Sequence, residues 1–137
     1  MTVSIHVNIN DLKDIISDSR IKFARVATAN QMLHDMDQFI PYKTGELRAS
    51  GHVNEDGSQI IWDKPYAMVQ YTGQFNHKKV KDMTDKARRY FFAAKLYDRK
   101  KGYTTKGTGP HWDEVAEKKD MSTWLEVFGR GLTHGKT

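Results

Sequence analysis

The sequence predicts an α+β fold: a small antiparallel sheet packed against a long N-terminal helix and a C-terminal helix, with a basic segment inserted between them. Three observations predict it. Val3, Ile5, Val7 and Ile9 alternate with Ser4, His6, Asn8 and Asn10, the period of a half-buried strand. Apolar residues then recur at 12, 15, 16, 23, 26, 27, 33 and 36, the spacing of a helix, with no internal Gly or Pro up to residue 38. Trp112, Val115, Ala116, Met121, Trp124, Leu125 and Phe128 form a second helical stripe near the C-terminus.

The elements follow in order. Asn10 can cap the first helix, and Asp11, Asp14 and Asp18 fall on its first two turns, where the dipole favours acids. A rod from there to residue 38 is roughly 40 Å long at ~1.5 Å per residue. Asn30 sits in its apolar stripe, either against a partner or as a solvated edge position, and the edge is the favoured reading. Pro41 stops the helix, because the residue before it leaves the α region and Pro donates no hydrogen bond. Leu47, Ala49, Gly51 and Val53 alternate with polar neighbours, Asn54-Glu55-Asp56-Gly57 is a turn, and Ile60 and Trp62 open a return strand, so 46–63 predicts a β-hairpin. Pro65 to Tyr71 predicts a short helix with Gly73 just past its end. For 82–101 the spacing of Met83, Ala87, Tyr90, Phe91, Ala94 and Tyr97 favours a helix stopped at Gly102. An extended hairpin also suits Tyr90-Phe91-Phe92. Pro110 opens the last helix, and Gly129 and Gly131 are expected to end it. No repeat is visible, and residues 1–137 are expected to form a single domain with 74–107 as an insertion.

Charge is unevenly placed. Residues 74–107 hold eleven Lys or Arg against Asp82, Asp85 and Asp98, a surplus of eight, which leaves minus three for the rest of a chain of net charge +5. A basic segment on a mildly acidic body suits nucleic acid or an acidic protein surface. The chain has no cysteine, which suits a reducing cytoplasm and excludes thiolate zinc sites. Neither a signal-peptide core nor a run of ~20 apolar residues is present, so a soluble, unprocessed chain without membrane contact is expected.

Little in the sequence points to catalysis. The six histidines are scattered without an HExxH pattern. His111-Trp112-Asp113-Glu114 offers ligand atoms at a helix start, but capping explains it more simply. Asp35 and Asp37, two apart on a helix, diverge and read as solvated. No nucleophile motif surrounds Ser50 or Ser58. Lys106-Gly107-Thr108-Gly109-Pro110 lacks the Gly-Lys-Ser/Thr ending of a P-loop and reads as a hinge. No catalytic, metal-ligating or cofactor-binding residue is therefore assigned. Tyr90, Phe91, Phe92, Tyr97 and Tyr103 interleave with cations in the insert, as on surfaces that stack single-stranded nucleic acid. Burial of those rings against the body is the more economical reading.

Two segments carry a resemblance. The first, Ile40 to Ser50, holds Pro41, Thr44, Gly45, Leu47, Arg48 and Ser50 between a long amphipathic helix and a strand. The second, Trp62 to Gly73, holds Pro65, Tyr66, Ala67, Tyr71 and Gly73 after the hairpin. Together with Thr108-Gly109-Pro110-His111-Trp112, Ala116 and Trp124, they resemble the minor capsid, or head–tail joining, proteins of tailed bacteriophages, within the tail-completion and neck group. The resemblance spans roughly residues 10–73 and 108–130 and leaves out the insert.

It implies a structural, non-enzymatic protein made in the host cytoplasm and placed in the virion neck. Its copies would form a homo-oligomeric ring that joins the capsid portal complex to the tail, with DNA passing through without sequence readout. Partners would be other copies and other neck, portal-adaptor or tail proteins. On the chain itself, Leu47 is expected in the core, Arg48 on the outer strand face, and Tyr66 and Tyr71 at interfaces. Lys78, Lys79, Lys81, Arg88, Arg89, Arg99, Lys100 and Lys101 are the candidate contacts to a partner or to DNA. A latch onto an acidic neighbour is preferred to a DNA-facing role, since a strongly basic lumen would hold the genome it must let slide. The alternative to a connector is a small nucleic-acid-binding protein that uses 74–107.

Overall fold

The fold is seen in a computed structural model that describes residues 1–7, 16–42, 45–64, 67–72, 97–98, 102–103 and 106–134. The elements run β1 (Thr2–Ser4), α1 (Asp18–Asp37), α2 (Glu46–Ala49), β2 (Gly51–Val53), β3 (Gln59–Trp62), α3 (Ala67–Thr72), β4 (Tyr97–Asp98), β5 (Gly102–Tyr103) and α4 (Trp112–His134). The fold is the expected α+β: a three-stranded antiparallel sheet, order β1-β3-β2, packed against helices, with β4 and β5 as a separate two-stranded ladder.

β1 lies along β3 with Val3 opposite Ile60, and β2 lies along the other side with Val53 opposite the same residue. The central strand therefore has a partner on both edges, and its Ile60 and Trp62 are buried. The alternation read at the N-terminus holds through residue 7: Val3, Ile5 and Val7 are half-buried while Ser4 and His6 are exposed. The regular strand is shorter than that alternation, ending at Ser4, although the Ile5 N–H still donates to Ser58 O at 2.7 Å. In the hairpin turn, Asn54 Oδ1 accepts from Gln59 N and Asp56 Oδ1 accepts from Ser58 N, at 3.0 and 2.9 Å. Gly57 adopts φ 77°, and a Cβ there would stand 2.7 Å from the Val26 backbone nitrogen, so the turn rests directly on α1.

α1 begins later than its apolar spacing suggests. Ser17, at φ −62° and ψ 150°, breaks the helical path and caps the N-terminus by accepting from Arg20 N, with Asp18 in the first turn. The 20-residue helix is roughly 30 Å long rather than 40. Asn10, Asp11 and Asp14 lie outside the described residues. Asn30 is exposed, and its Nδ2 turns back to Val26 O, a solvated edge position. Pro41 follows the helix end, as expected.

Residues 46–49 are a helical turn, not the first half of a strand. Gly45 in the left-handed region (φ 83°) reverses the chain, after which Ala49 N donates to Gly45 O and Ser50 N to Glu46 O. These i to i+4 bonds leave only 51–53 to pair with β3. α3 forms as expected, with Pro65 and Gly73 outside the described residues. Tyr97 ends in a ladder rather than a helix: it pairs with Tyr103 as Asp98 pairs with Gly102. The helix expected over 82–96 lies outside the described residues.

α1 and α4 run antiparallel, for Ala24 meets Gly131 near one end and Asp35 meets Trp124 towards the other. α4 continues through Gly129 and Gly131 instead of stopping there. Packing explains why: a Cβ on Gly131 would lie 2.6 Å from the Ala24 Cα, so the helices approach to backbone contact at that point. The core is built from Ala29 and Met36 of α1, Ile40, Leu47, Ile60, Trp62, Ala67, and Trp112, Ala116 and Trp124 of α4.

The two glycines of α4 should respond oppositely. Gly131→Ala forces the helices apart and is expected to destabilise by about 1–3 kcal/mol. Gly129→Ala, with open space around the new methyl, should stabilise by about 0.5–1 kcal/mol. Denaturant melts of the two single variants check both signs.

Candidate assembly surface

Both motif segments build corners at the same end of α1 and α4. In the first, Pro41 is buried and Leu47 is 2% exposed, while the Tyr42 ring stays exposed. Arg48 is half-buried and does not project from a strand face. Its Nε donates to Ile40 O at 2.9 Å, and its guanidinium lies 4.9 Å from the Tyr42 ring centroid. The arginine thus ties the helical turn to the Ile40 carbonyl, in the segment that follows α1. Ser50 Oγ donates to Leu47 O at 2.8 Å and closes the same turn. Thr44 lies outside the described residues, and Gly45 supplies the reversal.

Asp37 lies close by. Burial pushes its carboxyl above the usual range, while the positive charges of Arg48 and His34 pull it back. Its Oδ1 is buried without a donor. The raised value means that stability falls as pH rises through the Asp37 titration, so Asp37→Asn should raise the thermal midpoint at pH 7. The difference should vanish below pH 3, as scanning calorimetry at the two values would show.

The second corner joins α3 to α4. Ala67 is fully buried, and Pro65, Tyr66 and Gly73 lie outside the described residues. Tyr71 is half-buried and committed within the chain: its ring meets His111 and Trp112 edge-on at 4.8 and 5.0 Å, and its hydroxyl donates to Asp113 Oδ1 at 2.6 Å. Trp112 in turn meets Trp62 at 5.6 Å. His111 stands at φ 52°, unusual for a residue other than glycine, and the His111 N–H donates to Tyr71 O. Gly109 N donates to Phe39 O, which fastens the approach to α4 onto the end of α1. The HWDE run, considered above for metal binding, thus seats the start of α4. Among the described residues no three His, Cys, Asp or Glu side chains gather.

Asp35, which the sequence suggested was solvated, accepts from Trp124 Nε1 at 2.8 Å and from Gln31 Nε2 at 3.1 Å. Sequence reasoning missed this pairing because the residues are 89 positions apart and neither spacing nor charge links them. The other candidate contacts, Lys78, Lys79, Lys81, Arg88, Arg89, Arg99, Lys100 and Lys101, lie outside the described residues.

The geometry is that of two corners and a helix pair held by buried packing and short hydrogen bonds. The chain matches the minor capsid protein family over residues 3–132 and belongs to that family of bacteriophage proteins. It is accordingly a phage structural protein and a component of the virion, working with other phage structural proteins. The match encloses residues 74–107, which the motif resemblance left out. No curated protein and no solved structure matches the chain. No helix among the described residues is long and apolar enough to cross a membrane.

Burial first, and then the Asp113 hydrogen bond, push the Tyr71 hydroxyl well above its ordinary 10.0. The unfolded chain loses that proton first, so this stabilisation is complete below about pH 10 and declines as pH rises beyond it. Tyr71→Phe should lose about 1 kcal/mol at pH 7 and show a weaker loss of stability above pH 10 than the parent. Urea melts at pH 7 and in the alkaline range measure both effects.

Proposed function

We propose that this chain is a non-catalytic subunit of the phage head–tail connector, a single domain whose copies form a ring at the neck between the capsid portal complex and the tail. The observation that carries this reading is membership of the minor capsid family over nearly the whole chain, together with corners whose residues serve packing rather than chemistry. Arg48, Tyr71 and Ser50 brace the chain internally. The rigid edges they set, with exposed Tyr42 beside Arg48, are the surface offered to neighbours. DNA passes the ring without sequence readout. The surplus positive charge of 74–107 acts as a latch onto an acidic protein surface, because cations lining the channel would retain the genome.

The charge surplus and its aromatics also favour one rival, a nucleic-acid-binding protein acting through 74–107. Phage lacking the chain separates the two. The connector reading expects filled heads and free tails that join when the purified protein is added, and electron microscopy of wild-type particles should place the chain at the neck. Normal joining without the chain, or salt-dependent DNA binding by the free chain that disappears with Lys78, Lys79, Arg88 and Arg89 all changed to Ala, supports the rival instead.

A further inference from the structure

Val115, Met121 and Leu125 of α4 are 43%, 39% and 65% exposed. At ~100° per residue the three fall within about 120° of one another. The stripe lies on the side of α4 away from Trp112, Ala116, Trp124 and Gly131, which face the core and α1. Scattered exposed apolar residues are ordinary, but three aligned on one helical face form a surface that remains exposed among the described residues. Glu114, Glu117 and Glu126, all exposed, lie on or beside it, with Lys118 and Lys119 as the cations alongside, so the face keeps an acidic surplus of one. Glu114, Glu117, Lys118 and Met121 also line an open depression.

We propose that this outer face of α4 docks the basic, aromatic-bearing segment 78–101 of a second copy of the chain. The argument is complementarity. Residues 74–107 carry a surplus of eight positive charges interleaved with Tyr90, Phe91, Phe92 and Tyr97, whereas the rest of the chain is net negative. An apolar stripe bordered by glutamates offers burial to the rings and opposite charge to the cations. The two surfaces differ and belong to the same chain, so each copy receives one neighbour and reaches into the next. Such head-to-tail contacts close into rings. The inference rests on the connector reading and adds which surface receives the neighbour.

The chain lacks cysteine, so single-cysteine variants report contacts without background. Full-length Leu125→Cys and Arg89→Cys chains are mixed and treated with a short bismaleimide, in solution and in particles assembled from both. A crosslink between the two different chains is expected. Leu125→Arg, which removes the apolar contact and sets a like charge against the basic segment, should weaken association at least tenfold while leaving the thermal midpoint unchanged, because the side chain is largely exposed. Crosslinks confined to Leu125→Cys pairs, crosslinks only within one chain carrying both changes, or no crosslink in either setting would overturn the inference. So would rings that form undiminished with Leu125→Arg, and in that case the connector reading stands. Absence of the chain from the neck defeats the connector reading itself.

Discussion

The close crossing of α1 and α4 at Ala24 and Gly131 is the constraint on which the remaining architecture depends. Two helices that touch backbone to backbone leave no room for side chains at the crossing, so their relative rotation is fixed there. The Asp35–Trp124 hydrogen bond, further along the same seam, fixes it a second time. With α4 held in that rotation, Trp112 must enter the core against Trp62 and Tyr71. Val115, Met121 and Leu125 must face outward. The surface left for neighbours is therefore a consequence of how the core is closed.

The family motifs take on a physical meaning within that frame. Gly45, Arg48 and Ser50 hold the turn after α1, while Tyr71, His111 and Asp113 hold the start of α4, and the Gly109 to Phe39 hydrogen bond links the two corners. The result is a stiff end to the molecule made mostly from backbone bonds and aromatic packing. A structural subunit that must keep its shape under load is served by such bracing. Tyr71 and Asp37 are shifted chiefly by burial, and both are packed against neighbours in the fold.

Much of the fold was legible because it is written in short-range patterns. Alternation at Val3, Ile5 and Val7, the turn at Asn54–Gly57 and the C-terminal helical stripe each depend on residues a few positions apart, although of that stripe Trp112, Ala116 and Trp124 are buried while Val115, Met121 and Leu125 are exposed. Pro41 ended a helix for a local reason as well. The errors share an opposite cause. Gly131 reads locally as a helix terminator but lies inside α4, because the approach of Ala24 makes a missing side chain an advantage. Leu47 and Ala49 alternate like a strand, yet the left-handed Gly45 sends them into a helical turn. Tyr97 fits a helical stripe, yet it pairs with Tyr103 in a ladder.

By itself, then, the amino-acid order determined the α+β class, the approximate places of α1, the β2–β3 turn, α3 and α4, and the family resemblance, since periodicity, turn residues and motif spacing all lie along the chain. Only the tertiary structure decided which face of α4 is covered, that Asp35 and Trp124 pair, and that Arg48 and Tyr71 turn inward to brace the corners. Those outcomes depend on distances between residues remote in sequence. Such distances come into being when two helices close on one another, and no local pattern encodes them.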